Sequence, residues 1–348
     1  MKKIKILILS VLVLSMSIFA VGCGGSDKPT LNVYNWGDYI DMEVLHQFEE
    51  EYGIKVVYDT FATNEDLYVK LKQGGSSYDV VFPSDYMIER MIKEDLLTTI
   101  DKNNISNLSK IGEEFLNLDY DKNNDYSVPY MWGTLGIIYN KTIVNEPLDS
   151  WADLWNEQYK GQIIMYNSQR DSLAVALKKL GYSINSRDEK ELEEAKQELI
   201  KQKPLVHAYM GDEVKEAIIS GEAAIAVVYS GDAVYMKWEN PDLEYVIPKE
   251  GTNLWFDAMV IPKNAKNKES AEKFIDFMTR PDIAAKNVEY IGYSSPIPEA
   301  VKLLDEDIQN DKVAYPDSEE LKNTEIFSDP TDVLQVYDRI WTEVTSEN

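Results

Sequence analysis

The length of the chain and the order of its segments predict an α/β fold of two lobes that share a ligand cleft. The 348 residues exceed what a single hydrophobic core of ordinary size contains. Short apolar runs alternate with helix-like segments in two blocks, one before and one after Tyr139. This alternation is typical of parallel strands that are joined by helices.

The first block is predicted to contain three strands and three helices. Its first helix is expected to end at Gly53, because glycine adopts the left-handed conformation that terminates helices. The predicted strands are 31–34, 54–58 and 79–82, and the predicted helices are 41–52, 64–73 and one that starts at Met87. Such a block is expected to form a parallel sheet with helices on both faces.

The second block continues the same alternation. Ser230 and Gly231 are expected to form a turn, and Pro281 is expected to stop the last amphipathic helix. The predicted strands are 162–166, 223–228 and 253–262, and the predicted helices are 171–180, 188–202 and 268–278. No internal repeat and no low-complexity segment is found.

The N-terminus has the pattern of an export signal. A basic start is followed by a largely apolar run from Ile6 to Gly22. A retained membrane helix is the alternative, although the run is marginal for spanning a bilayer. The sequence AVGC at residues 20–23 resembles the bacterial lipoprotein processing box, which implies cleavage before Cys23 and a diacylglycerol on its thiol. We therefore expect a signal peptide at 1–22 and a lipidated cysteine with a flexible tether at 23–30.

The overall charge and the cysteine count narrow the classes of function. The net charge is −26, and it becomes −29 when Lys2, Lys3 and Lys5 leave with the signal. This acidity disfavours nucleic acid as a partner and favours cations, although acidity for solubility alone is an equally good explanation. Once Cys23 is lipidated, the mature chain has no free thiol and no disulfide.

The residues that commonly catalyse reactions are scarce. His46 and His207 are far apart in the sequence, and no cysteine or histidine cluster suggests zinc. No glycine-rich loop precedes a helix in the way that phosphate binding requires. A hydrolase that uses only carboxylates stays open, because acidic residues are plentiful.

Aromatic, hydroxyl and acidic residues follow four of the predicted strands. In open α/β sheets, ligands bind beyond the carboxyl ends of the strands. The residues in question are Trp36, Tyr39, Ser84, Asp85, Tyr86, Ser168, Asp171, Tyr229 and Asp232. Asp85, Asp171 and Asp232 also stand at predicted helix starts, so helix capping is as good an explanation for them as ligand contact.

Asp257 differs from these acids because it lies inside an apolar run, 254–261. A carboxylate there is costly unless an internal cation or a cationic ligand pairs with it. Trp255 projects from the same face of the strand two positions earlier. An aromatic face beside a carboxylate suits an ammonium group, so we favour an organic amine as the ligand.

Six segments resemble the spermidine/putrescine-binding proteins of bacterial ABC transporters. They are VYNW at 33–36, YSVPYMWG at 126–133, SWADLW at 150–155, PKNAKNK at 262–268, RPD at 280–282 and IGY at 291–293. The likeness follows nearly the whole mature chain in order. It implies a type II periplasmic-binding-protein fold, with lobe 1 at 31–134 plus 257–302 and lobe 2 at 135–256 plus 303–348.

The resemblance also implies which residues contact the ligand. Those that match the family pattern are Trp36, Tyr39, Ser84, Tyr86, Asp171, Asp232, Trp255, Asp257 and Tyr293. Three positions depart from it, since Ser168 replaces an acid of spermidine binders, Tyr229 a tryptophan and Phe327 a glutamine. The departures leave the choice of polyamine open and tilt it slightly towards putrescine.

The implied function is that of a receptor without a cofactor and not that of an enzyme. A monomer on the outer face of the cytoplasmic membrane would close over a polyamine, with hinges near Trp132-Gly133 and Trp255-Phe256. It would deliver the ligand to a membrane permease that a separate ATPase powers. The rivals are another small solute, for which Arg170 could clamp a carboxylate, a surface glycan hydrolase, and an adhesin.

Overall fold

The computed structural model describes residues 28–74 and 77–346. The predicted signal peptide and Cys23 lie outside these ranges. Within them, every helix is too short or too polar to cross a bilayer.

The strands of the described residues form one continuous hydrogen-bonded assembly. Its order is β2-β1-β3-β9-β4-β7-β5-β6, and β8 pairs with β4. The strands are β1 (Thr30–Trp36), β2 (Lys55–Phe61), β3 (Val80–Val81), β4 (Ser127–Asn140), β5 (Ile163–Tyr166), β6 (Val206–Met210), β7 (Ile225–Tyr229), β8 (Leu243–Val246) and β9 (Leu254–Val260).

The prediction of a parallel sheet holds only for part of this assembly. β1 pairs in parallel with β2 and β3, and β5 pairs in parallel with β6 and β7. β9 is antiparallel to β3 and β4, and β4 is antiparallel to β7 and β8. The sheet is mixed because β4 leads the chain away from the first group of strands and β9 returns it in the opposite direction.

The strand β4 joins the two groups of strands. Its residues 127–134 pair with β9, and its residues 135–140 pair with β7 and β8. All fourteen residues are buried. At Gly133 an added Cβ would stand 2.6 Å from the Trp255 ring, so the missing side chain is what lets this tryptophan lie over the strand.

The helices pack against both groups of strands. They are α1 (Met42–Tyr52), α2 (Asn64–Lys72), α3 (Asp85–Lys93), α4 (Gln169–Lys179), α5 (Glu189–Gln202), α6 (Val214–Ile219), α7 (Ser230–Glu239), α8 (Lys268–Met278), α9 (Pro281–Ile291), α10 (Pro298–Val301), α11 (Glu306–Gln309) and α12 (Leu334–Ser346). The sequence analysis did not identify β4, β6, β8 or the C-terminal helix α12 as elements.

Several predicted helix ends are confirmed, and one predicted turn is wrong. Asp41 caps α1 by accepting the Glu43 N–H, and Gly53 ends that helix at φ 67°. Ser230 and Gly231 form the first turn of α7. The helix α8 ends at Met278, as predicted, and Pro281 begins α9, because proline lacks an N–H and fits the first position of a helix.

Separate hydrophobic cores lie on either side of the change of partner in β4. One core contains Leu31, Phe48 and Phe274 and packs α1 and α8 against the first strands. Another contains Trp151 and Tyr337 and packs α4, α5 and α12 against the later strands. The two-lobed α/β architecture predicted from the sequence is therefore confirmed.

The loop before β9 supplies a test of this packing. Gly251 has φ 88°, and an added Cβ would stand 1.9 Å from the carbonyl oxygen of Asn323. Gly251→Ala is expected to lower the free energy of unfolding by about 3 kcal/mol, because backbone strain and crowding add. Urea unfolding measures this loss.

The matched control is Gly53→Ala. Gly53 also has a positive φ, but nothing lies within 4 Å of an added Cβ. Gly53→Ala should lower the free energy of unfolding by only about 1 kcal/mol, because it adds backbone strain without crowding. Equal losses for the two variants would contradict a role for crowding at Gly251.

Candidate ligand site

The structure places the predicted residues at the ends of strands. Trp36 ends β1, Tyr229 ends β7, and Ser168 stands between β5 and α4. Ser84 stands between β3 and α3. Loops from both groups of strands therefore border one region, which β9 crosses with Asp257.

Asp257 is a buried carboxylate without an internal cation. Its residue is 6% exposed, and none of the described lysines and arginines lies within ion-pair distance of it. One carboxylate oxygen, Oδ1, has no hydrogen-bond partner. Burial raises the pKa of Asp257 to about 6, although the neighbouring hydroxyls of Ser84 and Tyr39 act in the opposite direction.

A chain of aromatic rings lines the region beside Asp257. Tyr229 and Trp255 have ring centroids 5.8 Å apart, and those of Trp255 and Tyr293 are 5.4 Å apart. Tyr293 also meets Tyr39 at 5.3 Å, edge to face. These edge-to-face contacts fix the rings relative to one another and exclude water from the carboxylate.

Asp171 lies at the other end of this aromatic chain. The Tyr229 hydroxyl donates to its Oδ2 at 2.9 Å, while its Oδ1 has no partner. The residue is 4% exposed, and burial raises its pKa. Ser168 caps α4 by accepting the Asp171 N–H at 3.3 Å, which orients this helix start.

A further polar atom in this region is buried and unsatisfied. The indole N–H of Trp255 has no hydrogen-bond partner in the described structure, whereas the Tyr39 hydroxyl faces the Asp257 carboxylate. Buried polar atoms in folded proteins nearly always have a hydrogen-bond partner, so several buried atoms without one in the same region need an explanation. Trp36 also has an unpartnered indole N–H, and its ring packs on Phe61 with centroids 4.5 Å apart.

Asp85 is fully buried, but its two oxygens are occupied. They accept the backbone N–H groups of Tyr86 at 2.6 Å and of Phe256 at 3.0 Å. Burial raises its pKa to about 8. This arrangement ties the start of α3 to β9, so the structure gives Asp85 a structural explanation.

Arg170 lies against the aromatic rings of Tyr86 and Phe327. The Arg170 guanidinium lies 4.2 Å from the Phe327 ring centroid and 5.0 Å from that of Tyr86. It also donates to the Ser328 carbonyl at 3.2 Å. The Tyr86 hydroxyl donates to Glu65 at 3.2 Å. Arg170 therefore makes aromatic and backbone contacts through its ring-facing surface and terminal nitrogens, while its buried Nε–H has no hydrogen-bond partner in the described structure.

Asp232 has a cationic partner inside the protein. Its Oδ1 lies 3.8 Å from the Lys215 Nζ, and the same ammonium lies 3.6 Å from Asp38. Burial raises the pKa of Asp232 to about 6, while Lys215 acts in the opposite direction. This environment distinguishes Asp232 from Asp257, which has no such partner.

Sequence reasoning missed several residues that support the site. Asn64 donates to the Ser84 hydroxyl at 3.0 Å and accepts its backbone N–H at 3.1 Å, which positions Ser84 beside Asp257. Glu65 and Lys215 were missed as well. Nothing in the local sequence marks them, because their partners are distant along the chain. Within the described ranges, no cluster of His, Cys, Asp or Glu is suited to hold a metal ion.

The fold and this enclosed region define a solute-binding protein, and the comparison with protein families agrees. Residues 43–315 match the family described as bacterial extracellular solute-binding protein. The chain belongs to this family.

Several of its relatives are named for spermidine and putrescine. A spermidine/putrescine-binding periplasmic protein from Escherichia coli is 41% identical and aligns over 90% of this chain and 91% of that protein. A solved structure from Listeria monocytogenes, a putative spermidine/putrescine ABC transporter, is 44% identical with a TM-score of 0.88 and covers 91% of this chain and 99% of its own. The spermidine/putrescine substrate-binding protein from Streptococcus pneumoniae is 46% identical with a TM-score of 0.81, covering 91% and 98%. The family resemblance seen in the sequence is confirmed.

The raised pKa of Asp257 predicts a measurable titration in the ligand-free protein. We expect its carboxyl carbon to titrate near pH 6 in NMR spectra. The folded chain then holds a proton that the unfolded chain has lost between about pH 4 and pH 6. The contribution of Asp257 to the free energy of unfolding should therefore fall as pH rises through this window.

Urea unfolding at the two ends of the window measures this contribution, and Asp257→Asn should remove it. Asp282 serves as the control carboxyl in the same spectra, because Arg280 lowers its pKa. An Asp257 midpoint near the ordinary value of 3.8 would contradict the desolvated site.

Proposed function

We propose that this protein is the substrate-binding receptor of an ABC importer for a polyamine, putrescine or spermidine. The observation that supports this most is Asp257, a buried carboxylate with an unpartnered oxygen and no internal cation. An ammonium group of the ligand would supply both the missing charge and the missing donor. The names of the relatives point to the same class of ligand.

The surroundings of Asp257 suit an alkyl amine better than a metal ion or a sugar. The rings of Trp255, Tyr293 and Tyr39 offer faces and edges to a cation and its methylene groups. In such a water-poor region each ammonium–carboxylate contact is stronger than the same contact on the surface. A sugar would need many hydrogen-bonding groups, whereas this wall is mainly aromatic.

The two carboxylates suggest how a molecule with two charged ends would lie. One ammonium would bind Asp257, and the other would bind Asp171, whose Oδ1 is also free. Tyr229 and Trp255 lie between them and would cover the methylene chain. Trp36, Tyr86, Ser84 and Phe327 would complete the walls.

We propose that lobe 1 comprises 31–134 plus 257–302 and lobe 2 comprises 135–256 plus 303–348. The change of partner in β4 after Thr134 and its pairing with β9 support these boundaries. Closure would be a hinge motion near Trp132-Gly133 and Trp255-Phe256. A ligand that contacts both lobes favours the closed state by its differential affinity.

The rival ligand class with a carboxylate is disfavoured by Arg170. Its guanidinium stacks on Tyr86 and Phe327 and donates to the Ser328 carbonyl. An amino acid would need this cation for its carboxylate. Membership in a family of transport-binding proteins also favours a receptor over a glycan hydrolase.

The proposed receptor works with partners at the membrane. A monomer would be held on the outer face of the cytoplasmic membrane by a lipid on Cys23. It would present the polyamine to permease subunits that a separate ATPase powers.

The first test replaces Asp257 by asparagine. Asp257→Asn keeps the shape but removes the charge, so polyamine affinity should fall by about 100-fold. Calorimetric titration with putrescine, spermidine, lysine and an oligosaccharide measures it. No heat from either polyamine with the wild-type protein would exclude the proposed function.

The control for this test is Asp79→Asn. Asp79 is also fully buried, but it accepts hydrogen bonds from Asn32, Lys266 and Asn267 and takes no part in the proposed site. It should lower the melting temperature and leave affinity within about threefold. Equal losses of affinity in the two variants would show that Asp257 acts only on the fold.

The second test concerns the anchor. Cys23→Ala should abolish both the lipid attachment and the cleavage before residue 23, so the variant should keep residues 1–22 and carry no diacylglycerol. Mass spectrometry of the N-termini of the wild-type and variant proteins checks this. A wild-type protein that keeps residues 1–22 and an unmodified Cys23 would instead support the retained helix.

A further inference from the structure

Lys215 is a cation that points into the acidic end of the proposed site. It lies in α6, its side chain is 17% exposed, and its Nζ lies between Asp38 and Asp232. Asp38 follows β1, whereas Lys215 and Asp232 belong to the other group of strands and helices. The ammonium therefore bridges the two proposed lobes.

The surroundings of Lys215 are rich in negative charge. Asp38, Asp212 and Asp232 all act to keep it protonated, against the effect of burial, and its pKa is raised. Asp212 also lies opposite the chain at Gly37, where an added Cβ would stand 3.8 Å from its Oδ2. Lys215 is thus the counter-ion of the buried Asp232, and the exposed carboxylates of Asp38 and Asp212 add to the negative charge around it.

This end of the region is continuous with the proposed amine site. Asp232 stands in the first turn of α7, next to Gly231, where an added Cβ would stand 2.3 Å from the Tyr293 ring. Tyr293 in turn contacts Trp255 and Tyr39. A ligand that extended past Tyr293 would meet the position that the Lys215 ammonium occupies.

We propose that Lys215 determines selectivity by occupying the position that an additional ligand ammonium would take. This inference rests on the proposed function and deepens it. Asp257 and Asp171 have free oxygens and remain for two ligand ammoniums, whereas Asp38 and Asp232 are already paired. A diamine matches this distribution, and the third ammonium of a triamine would approach a like charge.

The test compares putrescine with spermidine by calorimetric titration. Lys215→Met removes the charge and keeps the length of the side chain. The ratio of spermidine affinity to putrescine affinity should rise by about tenfold, because Asp38 and Asp232 become available to the third ammonium. A residue that only stabilised the closed form would change both affinities together and leave the ratio unchanged.

Three further variants make the outcome decisive. Lys215→Arg keeps the cation and should retain the wild-type ratio. Lys237→Met removes another lysine of the same proposed lobe, 3.7 Å from Asp311, and should also leave the ratio unchanged. Asp38→Asn should reverse the gain in the Lys215→Met background.

The results separate this inference from the proposed function. If the wild-type protein binds polyamines but Lys215→Met, folded as judged by its melting curve, keeps the wild-type ratio, the role of Lys215 is wrong and the receptor function stands. Should Lys215→Met fail to fold, Lys215→Gln gives the same comparison. If the wild-type protein binds neither polyamine, both proposals fail.

Discussion

The burial of the Asp257 carboxylate without an internal cation is the constraint on which the rest of the site depends. Its strand, β9, is hydrogen bonded on both sides, to β3 and β4, so the side chain cannot move out to water without breaking the sheet. Asn64 positions Ser84 beside it, and Asp85 ties α3 to the neighbouring Phe256 N–H. The fold thus holds in place a charge that it does not itself neutralise.

The buried carboxylates differ in whether another group of the protein already binds them, and this difference can make the site selective for one ligand. Asp85 is satisfied by backbone donors and Asp232 by Lys215, whereas Asp171 and Asp257 each keep a free oxygen. All four are buried, so their number alone says little about the ligand. What distinguishes them is which ones already have a partner, and this distribution underlies both the proposed polyamine site and the proposed role of Lys215.

The crossing of β4 and β9 connects this chemistry to the architecture. The strand β4 pairs with β9 in its first part and with β7 and β8 in its second part, without a break in the strand. Trp255 lies over Gly133, next to the residue where the pairing changes. The aromatic wall of the site is therefore attached to the connection between the two proposed lobes. A ligand that fills the wall would act directly on the segments that the proposed hinge motion requires.

Local patterns determined much of this protein. The apolar runs, Asp41 as a cap and Gly53 as a stop set the early elements, and a lone acid in an apolar run singled out Asp257. Tertiary structure alone decided that β9 is antiparallel to its neighbours and that backbone donors occupy the Asp85 carboxylate. It also decided that Arg170 stacks on aromatic rings and that Lys215 pairs with Asp38. Those features join residues far apart in the chain, and a charge in a sequence does not reveal whether another charge will fold against it.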